Sequence, residues 1–107
     1  MSAYIIANVR VTNAAQYEEY KTFSTLAMRA HGAEVCVRGG AVKVLEGEWH
    51  PDRLVLLKFD SVEKAQAFYD SPEYARARQA RLGAAIMSMV VVTGTDAAEN
   101  NPNQGKQ

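Results

Sequence analysis

The segment between residues 37 and 53 concentrates side chains that can bind and orient a small polar molecule. It holds two arginines, a glutamate beside a glycine, a tryptophan and a Gly-Gly pair: Arg38, Gly39, Gly40, Glu46, Gly47, Trp49 and Arg53. A guanidinium group grips a carboxylate or an enolate through two parallel hydrogen bonds, and glycines let a backbone bend or approach a ligand closely. We therefore predict a site for a small anionic molecule in this segment.

Within this site, Glu46 is the candidate catalytic base, because it is an acid flanked by glycine and near both arginines in sequence. Arg38 is the candidate catalytic group that stabilises a developing enolate. Trp49 and Arg53 are candidate substrate-binding residues. A structural interpretation competes with each role: an Arg38–Glu46 ion pair, a tryptophan packed beneath a loop, and a solvated arginine at a strand end.

Two further candidate substrate-binding residues, Tyr74 and Arg81, lie seven positions apart and so share one face of a predicted helix. They would close the site from the helix side. Alternatively, Arg81 belongs to an ordinary solvated face together with Arg76 and Arg78. The remaining helical tyrosines are interpreted as core residues with hydrogen-bonded hydroxyl groups: Tyr17, Tyr20 and Tyr69.

Charge and motif content argue against several classes of function. The 107 residues include twelve basic and twelve acidic ones, so neither nucleic acid nor a membrane is expected as a partner. His31 and His50 have no acidic neighbour at metal-ligand spacing, so no metal site is expected, and no nucleotide-binding glycine motif is present. We therefore expect no cofactor. With no long apolar run and no basic leader before Tyr4, we expect a cytoplasmic protein.

Apolar periodicity predicts a single domain over residues 1–94, followed by a polar and disordered tail over residues 95–107. The first strand covers residues 4–11 and has one dry face. The first helix covers residues 14–31, with Asn13 and Gln16 in capping-box positions and Gly32 as its stop.

The second half of the chain repeats this pattern. A strand over residues 53–60 is followed by a helix that Ser61 caps and that Ser71-Pro72 restarts, and a last strand covers residues 86–93. Between the halves, Gly39-Gly40 fits either a two-residue hairpin turn or a bend in one long strand. A reversal of the chain direction is predicted more clearly at residues 47–52. The resulting order, β-α-β-β-α-β, predicts an α+β ferredoxin-like fold with an antiparallel sheet and both helices on one face.

Several strand residues are apolar on the face that the helices cannot cover: Ile6, Leu54, Leu56, Ile86, Val90 and Val92. An exposed apolar surface of this extent usually marks an interface. We therefore expect a homodimer in which two copies pack through their open sheet faces.

The chain resembles the domain-of-unknown-function family numbered 1330, within the dimeric α+β barrel superfamily, over about residues 3–93. The matching motifs, in order, are Tyr17-Glu18-Glu19-Tyr20, His31-Gly32, Arg38-Gly39-Gly40, Leu45-Glu46-Gly47, Trp49, Phe59-Asp60-Ser61, Tyr69-x-Ser71-Pro72-x-Tyr74 and Arg81. The resemblance implies a dimeric ferredoxin-like barrel with the Gly-Gly pair inside a long, bent second strand. It implies no reaction, since the superfamily includes cofactor-free monooxygenases, haem-degrading enzymes, muconolactone isomerases and non-catalytic stress proteins.

Two classes of function fit these residues. The first is a cofactor-independent enzyme that acts on a small anionic or enolisable metabolite and requires both Glu46 and an arginine. The alternative is a non-catalytic dimer that binds a ligand or a partner protein and tolerates Glu46→Gln. Opposite charges gathered beside an aromatic ring and flexible glycines favour the enzyme.

Overall fold

A computed structural model describes residues 2–95, which form one antiparallel sheet of four strands with three helices on one face. The elements are β1 (Ala3–Val11), α1 (Ala14–Ala30), β2 (Glu34–Arg38), β3 (Arg53–Phe59), α2 (Val62–Asp70), α3 (Pro72–Arg81) and β4 (Ala85–Thr93). The strand order is β2-β3-β1-β4. This confirms the predicted ferredoxin-like fold, and the predicted tail lies outside the described residues except for its first position.

The first strand lies at the centre of the sheet, where it pairs with β3 on one side and with β4 on the other. Its alternate residues are buried beneath the helices: Ala3, Ile5, Ala7 and Val9. This arrangement confirms the predicted dry face of the first strand. A strand with two neighbours and a covered face has little freedom to move, so β1 anchors the layer of helices.

An aromatic cluster joins the helices to the sheet. The ring of Phe68 on α2 lies 5.2 Å from that of Phe59 on β3 and 4.8 Å from that of Tyr74 on α3, measured between ring centroids. All three side chains are almost completely buried. Burial of one such ring stabilises the fold by about 1.5–3 kcal/mol, so the cluster fixes α2 and α3 over the sheet.

Polar caps set the ends of the helices. The Asn13 side chain accepts a hydrogen bond from the Gln16 N–H at 3.0 Å, as predicted. The Gln16 amide does not complete a capping box; it donates to the carbonyl oxygens of Ala80 and Leu82 and so ties the start of α1 to the end of α3. The first helix ends at Ala30, one residue before the predicted end.

Ser71 divides the second helix into α2 and α3, as predicted. Its hydroxyl donates to the Phe68 carbonyl at 2.7 Å and accepts from the Tyr74 N–H at 3.1 Å. One buried side chain therefore ends α2 and begins α3. The turn directs Tyr74 into the aromatic cluster.

At Gly39-Gly40 the chain forms neither a two-residue hairpin turn nor a bend in one long strand. The second strand ends at Arg38, and Gly39, with a φ of 77°, donates its N–H to the Leu54 carbonyl at 2.8 Å. Residues 40–52, called here the β2–β3 connection, then form no helix or strand within the single chain. The one irregularity in the β2–β3 pairing is a register shift between Val35 and Val37, so the bulge precedes the glycines.

The sheet face opposite the helices, called here the open face, is apolar and uncovered within one chain. Ile6 lies opposite Leu56 on one side and Val90 on the other, and Val37 extends this row to the edge strand. Val90 is 59% exposed and Ile86 is 63% exposed. The predicted apolar residues therefore share this face.

Candidate functional site

A cavity of about 400 Å³ opens between helices α2 and α3 and the β1–β4 side of the sheet. It is lined by Ile5, Ala65, Gln66, Tyr69, Arg81, Met87, Met89, Val90 and Val91. Its size is within the range of ~300–1,000 Å³ that is typical of small-molecule sites. The wall is mostly apolar, and Arg81 contributes its one charged group.

Arg81 lies in the last turn of α3, where its side chain reaches back over the tyrosines. One terminal nitrogen, Nη1, donates to the Tyr74 hydroxyl at 3.4 Å and contacts the Met87 sulfur at 2.7 Å. The guanidinium carbon lies 5.8 Å from the centroid of the Tyr20 ring. Among residues 2–95, no carboxylate forms an ion pair with Arg81.

The hydroxyl groups of Tyr20 and Tyr74 are hydrogen-bonded to each other at 2.7 Å within the core. Both side chains are buried, and their rings meet edge to face. Two hydroxyls that share one hydrogen bond use one of their two protons. Arg81 donates to the Tyr74 oxygen, and one hydroxyl proton of the tyrosine pair is left for a further acceptor.

Burial keeps both phenols neutral. Desolvation raises the pKa of Tyr20 well above its ordinary value, and the adjacent Tyr74 hydroxyl raises it further. Desolvation also raises the pKa of Tyr74, although its hydrogen bond with Tyr20 and the charge of Arg81 act in the opposite direction. The two hydroxyls are therefore hydrogen-bond donors at neutral pH, with Arg81 as the charged member of the group.

A narrow crevice continues from the cavity into the core. Cavity and crevice share Ile5, Met87 and Met89 as lining residues. The crevice has a volume of about 20 Å³, which is room for one water-sized group. Its lining residues with polar groups are Tyr17, Tyr20, Ser24, Arg38 and Tyr74. The two tyrosines therefore border a space that adjoins the cavity.

Arg38, which also borders the crevice, lies with Arg53 along α1, away from the cavity. The Arg38 guanidinium donates to the Lys21 carbonyl at 3.2 Å and to the Ser24 hydroxyl at 3.3 Å. The Arg53 guanidinium lies 5.5 Å from the centroid of the Tyr17 ring. Both arginines line an open groove of about 610 Å³, called here the α1 groove.

Glu46 and Trp49 lie on the β2–β3 connection and line neither the cavity nor the α1 groove. Both are exposed, Trp49 to 63%, and neighbouring Leu45 is 90% exposed. The predicted roles of Glu46 as a base and of Trp49 in substrate binding stay predictions.

The structure thus separates the predicted site residues into three groups. It joins Tyr74 to Arg81 and Arg38 to Arg53, while Glu46 and Trp49 stand on the connection. Tyr20 was interpreted from sequence as a core residue with a satisfied hydroxyl. The structure adds that this hydroxyl is hydrogen-bonded to Tyr74, which accepts from Arg81. In the sequence, the signal for Tyr20 was its position beside Tyr17 on one stripe of the first helix.

His31 has a structural contact. Its Nε2 lies 3.0 Å from the Glu73 Oε1, and this hydrogen bond lowers the pKa of the Glu73 carboxyl. The contact ties the end of α1 to the start of α3. No group of three or more His, Cys, Asp or Glu side chains suited to a metal ion occurs among residues 2–95.

The chain belongs to a family described as a domain of unknown function, DUF1330, whose model matches residues 2–95. This match confirms the resemblance found in the sequence. No curated protein matches the chain. Across the described residues, no helix is long and apolar enough to cross a membrane.

Solved structures share the fold at low sequence identity. A protein of unknown function from Rhodopseudomonas palustris has 20% identity and a TM-score of 0.69, covering 87% of this chain and 82% of its own. A dimeric ferredoxin-like protein of unknown function from Thermobifida fusca has 17% identity and a TM-score of 0.61, covering 88% and 92%. SnoaB, a cofactor-independent oxygenase from Streptomyces nogalater, has 9% identity and a TM-score of 0.58, covering 87% and 92%. These likenesses establish the fold alone.

The buried hydroxyl pair leads to a prediction for alkaline pH. The ordinary pKa of tyrosine is about 10, and the folded state raises the pKa of Tyr20 and Tyr74. Their contribution to stability is therefore complete below pH ~10 and is lost as the pH rises above that value. Carbon-13 NMR of the Tyr Cζ atoms should show both phenols neutral until the protein unfolds. Ionisation of either phenol near its ordinary pKa in the folded protein would contradict the buried pair.

Proposed function

We propose that this protein binds a small organic anion, a carboxylate or an enolate, in the cavity beside Arg81. The observation that carries the proposal is a partly buried guanidinium group with no carboxylate partner among the described residues. Charged groups withdrawn from water are usually paired, because an unpaired charge is costly to desolvate. An anion in the cavity would supply the missing partner.

The lining of the cavity supports a ligand with an apolar body. Met87, Met89 and Val91, on the helix-covered face of β4, form its sheet side, and Tyr69 lies on the helix side. Methionine is flexible and polarisable, so it packs well against flat or irregular ligands. The ligand would place its charged end against Arg81 and its body over the two methionines.

Tyr74 is the residue that positions Arg81 for this task. Its hydroxyl accepts from Nη1 of Arg81, while Tyr20 holds the Tyr74 hydroxyl from the other side. The guanidinium has five N–H donors, and this contact occupies one of them. A donor group held in advance loses less freedom on binding and therefore binds more tightly.

The same arrangement supports enzyme chemistry without a cofactor. When a base removes a proton from the carbon beside a carbonyl, the carbonyl oxygen becomes an enolate, and Arg81 would stabilise that oxygen. Glu46 does not line the cavity of its own chain, so the proposed base would be Glu46 of the second copy in a dimer. The alternative is a binding protein with the same cavity and no proton transfer.

The proposed assembly is a homodimer formed through the open face. The exposed row that contains Ile6, Leu56 and Val90 would be covered by its own copy around a two-fold axis. The Thermobifida fusca protein, which shares the fold, is described as dimeric, and this supports a dimer for this chain.

Benzoate and benzamide form a matched pair of probes for the cavity, because they share a shape and differ in charge. Benzoate should shift the methyl NMR signals of Met87 and Met89, which line the cavity, more than that of Met28, which lines the crevice alone. Arg81→Gln should weaken benzoate binding at least tenfold, because a hydrogen-bonded ion pair contributes about 1.5–3 kcal/mol. Arg76→Gln, an exposed change on the same helix, should leave binding unchanged.

Equal binding of benzoate and benzamide would contradict a charged site, as would full binding by the Arg81 variant. Glu46→Gln then separates the two classes of function. If Glu46 is the base, the variant should lose deuterium exchange into the methyl group of pyruvate and should keep benzoate binding. Wild-type protein that binds benzoate and never exchanges pyruvate would favour the binding protein.

The homodimer predicts a specific response to a charge on the open face. Leu56→Glu should give the mass of one chain in sedimentation equilibrium at micromolar concentration, whereas the unchanged protein should give twice that mass. The carboxylate would be buried in an apolar interface without a partner. Ala67→Glu, on an exposed part of α2, is the control and should remain dimeric. A well-folded wild-type monomer at that concentration would refute the interface.

A further inference from the structure

We infer that the α1 groove is a second anion site, distinct from the cavity, that binds the phosphate group of a phosphate monoester. The groove is lined by Glu18, Lys21, Thr22, Thr25, Leu26, Arg29, Arg38 and Arg53. Four of these side chains are cationic and one is anionic. Such an excess of positive charge stands out in a chain whose total charge is zero.

Arg53 is a guanidinium donor of the groove that two neighbours hold. Its guanidinium group packs on the Tyr17 ring on one side and against the backbone of Gly39 on the other. A Cβ atom at position 39 would collide with this guanidinium, and the φ of 77° there also favours glycine. The Nε atom of Arg53 is buried and has no hydrogen-bond partner among residues 2–95. Its contacts with Tyr17 and Gly39 hold this arginine in place, and no described residue accepts a hydrogen bond from it.

Arg38 provides a second fixed guanidinium beside it. One of its terminal nitrogens, Nη2, is anchored to the Lys21 carbonyl and the Ser24 hydroxyl of α1. The only carboxylate in the groove, Glu18, is already paired with the Lys21 ammonium at 2.6 Å. Among the described residues, no acid forms an ion pair with Arg29, Arg38 or Arg53.

This arrangement fits phosphate better than a simple carboxylate. A phosphate monoester carries nearly two negative charges at neutral pH and has three acceptor oxygens. Two planar guanidinium groups can each form paired hydrogen bonds with such a group. Leu26, which is 54% exposed, also lines the groove and offers an apolar surface to the organic part of a monoester. A monoester should therefore bind more tightly than inorganic phosphate.

The two proposed sites can fail separately, because they use different residues. A ligand in the groove would be reported by the backbone amide signals of Gly39 and Arg53. A ligand in the cavity would be reported by the methyl groups of Met87 and Met89. One titration of the isotope-labelled full chain, followed at both sets of signals, distinguishes the two places.

The probes are phenyl phosphate and inorganic phosphate. Phenyl phosphate should shift the Gly39 and Arg53 amide signals in a saturable way, and inorganic phosphate should do so more weakly. Arg53→Gln should weaken phenyl phosphate binding roughly tenfold or more. Arg53→Lys keeps the positive charge but lacks the planar guanidinium group, so it should bind phenyl phosphate with intermediate affinity. Arg76→Gln, outside the groove, should bind like the unchanged protein.

Gly39→Ala is a second variant that tests the groove in case the Arg53 variants fail to fold. It keeps every arginine and displaces the Arg53 guanidinium, so it too should weaken binding while the amide spectrum stays that of a folded protein. The inference is overturned if phenyl phosphate shifts only the methionine methyl groups. It is also overturned if no saturable shift appears at millimolar concentration, or if the folded Arg53→Gln variant binds as well as the original protein.

Discussion

The hydrogen bond between the Tyr20 and Tyr74 hydroxyls is the interaction on which the proposed ligand site depends. It joins α1 to α3 inside the core, and the Arg81 guanidinium rests against it. Loss of either hydroxyl would leave a buried polar atom without its partner, at a cost of about 1–3 kcal/mol. The pair therefore serves the packing of the helices and the orientation of the one charged group in the cavity.

The placement of the arginines follows from the same layer of helices. Arg81 comes from the last turn of α3 and faces the β1–β4 side of the sheet, whereas Arg38 and Arg53 come from β2 and β3 and lean on α1. The glycine at position 39 and the ring of Tyr17 hold Arg53, and backbone and hydroxyl oxygens of α1 hold Arg38. Two positively charged places on one small domain are suited to two different anionic groups.

Local patterns predicted most of the fold, because alternation and capping act over a few residues. The dry face of β1, the caps at Asn13 and Ser61, and the division at Ser71 all appear in the structure. The β2–β3 connection was harder to predict, because a strand needs a pairing partner and none of the described strands of the same chain pairs with residues 40–52. The Tyr20–Tyr74 contact joins positions 54 apart, and no local spacing encodes it.

A double-mutant cycle of Tyr74→Phe and Arg81→Gln, measured by calorimetric titration with benzoate, tests most directly whether the hydroxyl pair organises the anion site. The Tyr74 change removes one hydroxyl and keeps the ring. If Tyr74 acts by positioning Arg81, it should weaken binding several-fold in the unchanged background and have no further effect once Arg81 is replaced. Losses of affinity that simply add in the double variant would contradict this account.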